Sequence, residues 1–449
     1  MRRVPGRALW AMAAVLVLAT AAACGSGSSS DNNGGGTGGG GGGSAATPVN
    51  SSTCKSVVNP DGQLLITSDL PLNGSSSHQT SQMNQAIEMI FEQAGWKAGK
   101  YTIAFQPCDD STPQAGTWDS TTCSANANAY AQDPSVITNI GTFNSGCAEL
   151  EVPVLNQAQP GPIAMVSPAN TWPGLTQGTK VPAEPSKYYP TGTRNYARVV
   201  APDNFQGPAL AQTAQGLGVK SVYILNDKQA YGAGVATYFE DAAKKLGITV
   251  LGNSAYNTKT GTNYQALFQG IAAKHPDAIM VGGLICENGG QLIKDKVAVL
   301  GDNTKVKLLL PDGFTTSSTI TDAGKASEGL YASVAGVPTD QLTGAGASFV
   351  SDFQAKYNPD FIDPYTPYAA AAAQVVLNAI AASDGTRASV SKNLFGTTVT
   401  DSVLGTFSIN DAGDTDQGSM TVDVVKGGKL TTYKVLTPKA DLVETFPDQ

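Results

Sequence analysis

Residues 136–153 read VITNIGTFNSGCAELEVP, a short apolar run followed by small polar residues and then by a helix-like stretch. An apolar run of this length indicates a buried strand, and the stretch from Cys147 indicates a helix. The first backbone N–H groups of a helix have no partner, and the helix dipole favours an anion there. Small residues would let a ligand reach those N–H groups. The alternative, in which Asn144 and Ser145 only cap the helix, stays open at this point.

The same alternation of strand-like and helix-like segments continues on both sides of this stretch. The strand-like runs are LLITSD from Leu64, YTIAF from Tyr101, SVYILND from Ser221, ITVLG from Ile248, AIMVGG from Ala278 and VKLLLPDG from Val306. Apolar strands that alternate with helices indicate parallel sheets covered on both faces. A chain of 449 residues exceeds what one compact core usually holds. We therefore predict an α/β protein with two doubly wound parallel-sheet lobes joined by a hinge, and a ligand in the cleft between them.

The N-terminus predicts export. Arginines precede the apolar run 8–23, which is too short to span a bilayer, so residues 1–23 are typical of a signal peptide. The run ends in three alanines followed by Cys24, which is similar to a bacterial lipobox and predicts lipidation of that cysteine. The leucine usually found three places earlier is missing, so ordinary cleavage after Ala23 stays open. Residues 24–50 are rich in Gly and Ser and predict a flexible tether.

The charge of the chain excludes nucleic acid as a partner. Loss of the signal removes three arginines and no acidic residue, which moves the formal charge from −8 to −11. Such an acidic chain is a poor match for a polyanion. No long apolar stretch follows the signal, so we expect contact with the membrane through the lipid anchor alone, on the outer face of the cytoplasmic membrane.

Cysteine usage predicts disulfides and no metal site. The cysteines beyond Cys24 are Cys54, Cys108, Cys123, Cys147 and Cys286. Their number is odd, so at least one thiol stays free or pairs outside the chain. No spacing is CxxC and the sequence has two histidines, which argues against zinc. Because Cys108 follows a strand and Cys123 opens a helix near the same strand end, we favour a disulfide between them, with Cys123–Cys147 as the rival pairing.

Four further stretches fall at the ends of predicted strands. They are PIAMVSPANTWPGLT at 162–176, LNDKQAYGAG at 225–234, MVGGLICENGG at 280–290 and LLLPDGF at 308–314. In their order and spacing, the chain resembles class I periplasmic binding proteins of the leucine/isoleucine/valine type, the substrate-binding components of ABC importers. The resemblance covers roughly Leu64 to Lys429. It implies lobe boundaries at 51–200 with 333–402, and 201–332 with 403–437, followed by a tail at 438–449.

The resemblance also implies a ligand site. In that family a serine-type loop at a helix N-terminus, an alanine backbone and a nearby threonine hold the α-carboxylate of the ligand. The matching residues here are Ser145, Gly146, Ala169 and Thr171. The family's ammonium-binding acid and its neighbouring tyrosine match Asp312 and Tyr231, with Asp in place of the usual Glu. Leu284 stands where a tyrosine is expected, so the side-chain specificity of the family does not transfer.

Two other residues near the predicted cleft have alternative interpretations. Glu287 is either a solvated loop acid or a contact to a basic or hydroxylated ligand. His78 could border the cleft, although an isolated histidine at a helix terminus is more often a surface residue.

The predicted function is binding. The resemblance implies an extracytoplasmic monomer that captures a small amino acid, or a related zwitterion or amide, by lobe closure and delivers it to an ABC permease and its ATPase. A ligand-sensing subunit of a signalling receptor is the alternative. A hydrolase would need a nucleophile with a histidine base, yet His275 ends a helix at the edge opposite to the cleft, and NSGC is no GxSxG elbow. We therefore predict no catalysis, no cofactor and no metal.

Overall fold

The structure is a computed structural model that describes residues 44–448. The predicted signal peptide 1–23, the predicted lipidation site Cys24 and most of the tether lie outside the described residues. Within the described part of the chain, no helix combines the length and apolar character needed to cross a membrane.

The first lobe is built around one mixed sheet. Its elements are β1 (Leu64–Leu70), α1 (Ser77–Gln93), β2 (Lys97–Ala98), β3 (Tyr101–Asp109), α2 (Ser120–Gln132), β4 (Val136–Gly141), α3 (Ser145–Asn156), β5 (Ala164–Ser167) and β6 (Tyr196–Arg198). The strand order is β2-β3-β1-β4-β5-β6. All pairs are parallel except the short edge strand β2, which runs antiparallel to β3. The strand and helix predicted from residues 136–153 are β4 and α3.

The second lobe repeats the pattern. Its elements are α4 (Asp203–Gly216), β7 (Ser221–Asn226), α5 (Ala230–Lys245), β8 (Thr249–Ala255), α6 (Gln265–Ala272), β9 (Ala278–Gly282), α7 (Gly290–Leu300), β10 (Lys307–Leu310), α8 (Ser317–Ala323) and β11 (Tyr331–Ala335). Strands β8, β7, β9, β10 and β11 are parallel neighbours in that order. Two apolar clusters cover the two faces of this sheet, as two others do in the first lobe.

The C-terminal quarter of the chain completes both lobes. Its elements are α9 (Ala345–Tyr357), α10 (Thr366–Ala381), α11 (Arg387–Lys392), β12 (Thr397–Ser402), β13 (Gly405–Ile409), β14 (Met420–Lys426) and β15 (Lys429–Leu436). The alanine-rich α10 is almost fully buried in the core of the first lobe, where its small side chains allow close packing against α1. Strands β14 and β15 extend the second sheet beyond β11 as antiparallel neighbours.

Strand pairing bears on where the chain passes between the lobes. The boundary expected between 332 and 333 falls inside β11, all of which belongs to the second sheet. The boundary expected between 402 and 403 separates β12 from β13, which pair with each other in a two-stranded sheet. We therefore propose that the chain returns to the first lobe after Ala335 and leaves it again after Ile409.

The cysteines pair differently from the favoured prediction. Cys54 forms a disulfide with Cys108, and Cys123 forms one with Cys147, while Cys286 is the free cysteine among the described residues. The predicted Cys108–Cys123 disulfide is therefore wrong, and the rival Cys123–Cys147 pairing is confirmed. The reason is tertiary: Cys54 lies beside β3 in an antiparallel bridge with Cys108, and α2 packs against α3.

Three buried carboxyl groups lie together in the first lobe. Asp69, Asp110 and Glu151 are fully buried, and neither carboxylate oxygen of Asp110 has a hydrogen-bond partner. Burial raises the pKa of Asp69 to about 6. Burial, followed by the negative charge of Asp69, raises the pKa values of Asp110 and Glu151 well above the usual range. We therefore expect this cluster to hold protons at pH values where an unfolded chain has released them.

Removing one of these acids should change how stability depends on pH. A carboxyl group in the unfolded chain loses its proton near pH 4, whereas Asp69 keeps its proton to about pH 6. The folded state thus binds more protons in that window, and its stability falls as the pH rises through it. Asp69→Asn should lessen this fall. Between pH 4 and pH 7 the free energy of unfolding of the variant should therefore rise, relative to that of the wild type, by up to about 3 kcal/mol. Denaturant unfolding at a series of pH values measures the difference.

The exposed Asp384 provides the control for this prediction. Hydrogen bonds from Thr386 lower the pKa of Asp384 below its usual range. Asp384→Asn should therefore change the pH dependence of the free energy of unfolding in the direction opposite to Asp69→Asn. A difference between Asp69→Asn and the wild type that stays constant from pH 4 to pH 7 would contradict the interpretation of Asp69.

Candidate functional site

Residues from both lobes meet around one small cavity at the carboxyl ends of the strands. The cavity is lined by Phe143, Asn144, Ser145, Ala169, Tyr231, Leu284, Asp312 and Gly313. It encloses about 10 Å³, which is room for about one water molecule. An amino acid is several times larger, so the two lobes must move apart to admit one. Larger open grooves of about 510 and 840 Å³ lie elsewhere, and none of the predicted site residues lines them.

Five of the seven predicted ligand residues line this cavity. They are Ser145, Ala169, Tyr231, Leu284 and Asp312. They come together because each follows a strand, and the carboxyl ends of parallel strands share one edge of a sheet. His275, by contrast, precedes the amino end of β9 and so lies at the opposite edge.

The first-lobe wall is the N-terminus of α3. Ser145 is the first residue of this helix and is buried, and its Oγ accepts a hydrogen bond from the backbone N–H of Trp172 at 3.3 Å. Asn144 precedes the helix but forms no side-chain cap, and its buried Oδ1 has no partner. The simple cap, left open by the sequence, is thus not what these residues form. The unpaired N–H groups of the first turn make this wall suited to an anion.

Two predicted residues adjoin the cavity without lining it. A Cβ atom on Gly146 would lie 2.6 Å from the ring of Trp118, so glycine is what allows that indole to pack against the start of α3. Thr171 is buried, and its Oγ1 has no hydrogen-bond partner. Its backbone carbonyl accepts a hydrogen bond from the N–H of Asp203 at 2.8 Å, which joins the end of β5 to the start of α4.

The second-lobe wall is the carboxyl group of Asp312. Its Oδ1 accepts hydrogen bonds from the Tyr231 hydroxyl at 2.6 Å and from Gln206 Nε2 at 2.7 Å. Its Oδ2 accepts one at 2.5 Å from the hydroxyl of Tyr365, which precedes α10 in the first lobe. Asp312 is buried, and burial raises its pKa despite these three donors.

A second acid beside Asp312 was not predicted from the sequence. Asp203, the first residue of α4, is fully buried, and its Oδ2 has no partner. Gln206 donates to Asp203 Oδ1 at 3.0 Å as well as to Asp312, so one amide bridges the two acids. Burial and then the charge of Asp312 raise the pKa of Asp203 well above its usual range. Such a pair favours a cation such as an ammonium group.

The sequence held a partial signal for this second acid. PDNFQG follows a strand-like segment, and Asp203 and Gln206 stand three residues apart, on one face of the helix that begins there. Tyr365 offered no such signal, because it reaches the site from a segment more than fifty residues beyond Asp312 in the chain.

The two ambiguous residues have different surroundings. Glu287 is buried, so it is not a solvated loop acid. His78 is about half exposed, and its Nδ1 lies 2.6 Å from the buried Oδ2 of Asp363. Its Nδ1 also lies 3.4 Å from Ser317 Oγ at the start of α8, so His78 stands at the seam between the lobes.

Comparison with known proteins places the chain in a family. The family model described as periplasmic binding protein matches residues 70–429. The chain belongs to this family. Among curated relatives, the Leu/Ile/Val/Thr-binding protein of Salmonella typhimurium is 29% identical over 254 residues, which cover 56% of this chain and 63% of that protein. The Leu/Ile/Val-binding protein homolog 3 of Brucella melitensis is 25% identical over 348 residues, which cover 77% of this chain and 85% of that protein.

Alignments with some of these relatives are partial. A Leu/Ile/Val/Thr/Ala-binding protein of Pseudomonas aeruginosa matches over 46% of its length, so the chain spans less than two thirds of this relative and of the Salmonella protein.

Among solved structures, a leucine-binding protein from Thermotoga maritima superposes with a TM-score of 0.71 at 23% identity, covering 84% of this chain and 99% of that one. This likeness establishes the two-lobed α/β fold.

The hydroxyl of Tyr365 should contribute to stability through Asp312. Tyr365→Phe removes a donor to a buried carboxyl group and leaves one oxygen without a partner, so the free energy of unfolding should fall by about 1 to 3 kcal/mol. Tyr368→Phe is the matched control, because Tyr368 lies three residues beyond Tyr365 in α10, is also buried and is not among the hydrogen-bond partners of Asp312. Denaturant unfolding of the two variants measures both effects. Equal losses in the two variants would contradict the role of the Tyr365–Asp312 hydrogen bond.

Proposed function

We propose that the protein is an extracytoplasmic solute-binding protein that captures a small amino acid or a related zwitterion between its lobes. One observation carries the proposal. The anion-favouring start of α3 and the carboxyl group of Asp312 face one cavity from opposite lobes, and Gln206 links Asp312 to the buried Asp203. An α-amino acid carries a carboxylate and an ammonium group on the same carbon atom. It can therefore match both walls at once.

Lobe closure follows from this division of charge. With the carboxylate on α3 and the ammonium at Asp312, a bound zwitterion joins the lobes by charge-assisted hydrogen bonds. The ligand therefore has a higher affinity for the closed arrangement than for an open one, which is what shifts a two-state equilibrium. The ammonium would also give the buried Asp203 a cationic donor beside the amide of Gln206.

The comparisons support amino acids as the first ligands to test. Two curated relatives are named for binding Leu, Ile, Val and Thr, and a structure of similar fold from Streptococcus pneumoniae contains isoleucine. Another structure of similar fold, from R. palustris, contains benzoate. Benzoate has no amino group, so it would leave Asp203 and Asp312 without a cation. The acid pair therefore favours a zwitterion over an aromatic acid for this chain.

The charge of Asp312 should be required for binding. Asp312→Asn keeps the size of the side chain and an acceptor for Tyr231, but it removes the negative charge that would face the ligand's ammonium. We expect at least about tenfold weaker binding of the best amino acid, which corresponds to about 1.4 kcal/mol. The matching 2-oxo acid, which has no ammonium, should bind the wild type weakly. Isothermal calorimetry measures both, after a thermal-shift screen has selected the amino acid.

A buried acid away from the cleft provides the control. Asp423 lies in β14 of the same lobe, is largely buried and does not line the cavity. Asp423→Asn should bind the selected amino acid with unchanged affinity. If Asp312→Asn binds as tightly as the wild type, or the deaminated analogue binds as well as the amino acid, the ammonium is not held as proposed.

Delivery to a membrane transporter is the second part of the proposal. Membership of the periplasmic binding protein family supports an exported protein that works beside an ABC permease and its ATPase. We infer that Cys24 is lipidated and that the Gly/Ser-rich segment 24–50 tethers the lobes to the outer face of the cytoplasmic membrane. The short signal-like run and the small residues before Cys24 support this inference.

Anchoring is tested at Cys24 itself. Cys24→Ser removes the thiol that would be acylated, so the protein should move from the membrane fraction to the soluble fraction of the cell envelope. Immunoblotting of the fractions and intact-mass analysis of the purified protein measure the change. A wild-type protein that is already soluble and carries no acyl mass would overturn the anchor and leave the binding function untouched.

A further inference from the structure

A second pair of buried acids lies beside the cavity. Asp227 follows β7, and Glu287 lies in the short helical turn Ile285–Gly289 after β9. Both side chains therefore stand at the same edge of the second sheet as Asp312. Asp227 is 6% exposed and Glu287 is 3% exposed, and the two carboxyl groups lie within hydrogen-bond reach of each other, with no other donor on Asp227 Oδ2 or Glu287 Oε2.

A tyrosine hydroxyl completes this cluster. The hydroxyl of Tyr256 is buried and has no hydrogen-bond partner. The negative charges of Asp227 and Glu287 both add to the burial that raises its pKa, so the three groups are neighbours. Buried polar atoms in folded proteins are almost always satisfied. The carboxyl groups of Asp227 and Glu287 reach each other, but the Tyr256 hydroxyl has no partner, so a cationic donor for this cluster would come from outside the described chain.

The cluster adjoins the ligand cavity. A Cβ atom on Gly283 would lie 2.0 Å from the Tyr256 hydroxyl, and the next residue, Leu284, lines the cavity. The backbone N–H of Glu287 donates to the Leu284 carbonyl at 3.2 Å. On the other side, a Cβ atom on Gly232 would lie 2.4 Å from the carboxylate oxygens of Asp227, directly after the cavity-lining Tyr231. The Tyr256 hydroxyl and the Asp227 carboxylate thus lie against the chain neighbours of two cavity-lining residues.

The side chain of Gln229 separates the acids from the first lobe. Its Nε2 donates to Glu287 Oε1, and its Oε1 accepts from the indole Nε1 of Trp118 at 3.1 Å. Trp118 belongs to the first lobe and packs against Gly146. The amide therefore demonstrates that Glu287 accepts an N–H donor at the interface between the lobes.

Nothing cationic in the described chain compensates these acids. Among the ion pairs of residues 44–448, none includes Asp227 or Glu287. Burial raises the pKa of Glu287 to about 7, and burial followed by the charge of Glu287 raises that of Asp227. Burying carboxyl groups without a partner costs free energy that an incoming cation would recover.

We propose that Asp227, Glu287 and the Tyr256 hydroxyl form a subsite for a positively charged, nitrogen-containing side chain of the bound amino acid. The inference rests on the proposed function, because the α-carboxylate and α-ammonium groups must occupy α3 and Asp312 for the side chain to reach this place. The ligands selected would be diamino or guanidino acids. The side-chain cation would replace the Gln229 amide at Glu287 or bind beside it.

The charges of such a ligand match those of the cleft. Its carboxylate meets the N-terminus of α3, its α-ammonium meets the first acid pair, and its side-chain cation meets the second pair. The Trp118 indole, next to Gln229, adds an aromatic group of the kind that attracts cations. An aliphatic side chain would bring no charge to these acids and would leave the Tyr256 hydroxyl without a partner, so it would gain less from closure.

The test compares ligands that differ in the terminal cation. L-Lysine, L-ornithine and L-arginine are titrated into the full mature wild-type protein by calorimetry, with L-norleucine as the uncharged analogue of lysine. At least one cationic ligand should bind about tenfold or more tightly than norleucine. Glu287→Gln and Asp227→Asn keep the size of each side chain but remove its charge, and each should reduce this preference while norleucine affinity stays unchanged or rises.

Each result of this experiment bears on one level of the proposal. Norleucine binding as tightly as every cationic ligand overturns the subsite and leaves the amino-acid function standing. If none of the four ligands binds, and no amino acid in the screen binds either, both the subsite and the amino-acid function are overturned. A preference that persists in both variants also overturns the subsite. Glu240→Gln, at a partly exposed acid on α5 that pairs with Lys244, is the matched control and should keep the wild-type preference.

Discussion

The closed arrangement depends on the carboxyl group of Asp312. A carboxyl group buried at this depth is costly unless donors surround it. Three donors reach it from three separate parts of the chain: Gln206 on α4, Tyr231 at the start of α5 and Tyr365 from the first lobe. Because one of the three belongs to the opposite lobe, the same carboxyl group both shapes the second-lobe wall and joins the lobes.

Close contact between the lobes also requires small residues. A Cβ atom on Gly234 would lie 2.3 Å from the ring of Trp172, which reaches across from the first lobe. Gly146 plays the same part for Trp118 within the first lobe. The two indoles can lie flat against helix starts only because no side chain stands there. Gly234 in the first turns of α5 thus allows the first-lobe indole of Trp172 to approach the second lobe closely.

The electrostatics of the cleft follow from where these edges meet. The second lobe brings four buried acids to the interface, Asp203, Asp227, Glu287 and Asp312, and the first lobe brings a helix N-terminus. A helix N-terminus favours negative charge, and buried acids favour positive charge. The cleft therefore favours negative charge on the side of the first lobe and positive charge on the side of the second. A zwitterion matches this direction, and an additional cation on the ligand matches the excess of acids.

The sequence by itself determined the alternation of strands and helices and the loops that form the site. The loops that carry Ser145, Ala169, Tyr231, Leu284 and Asp312 were predictable because each follows an apolar strand and parallel strands end at a shared edge, whereas the choice of these residues within the loops came from the family resemblance. Only the tertiary structure decided the partner of Cys108, the pairing of β11 with β14, and the arrival of Tyr365 at Asp312. These contacts join segments far apart in the chain, and local periodicity carries no information about which distant segment a given residue will meet.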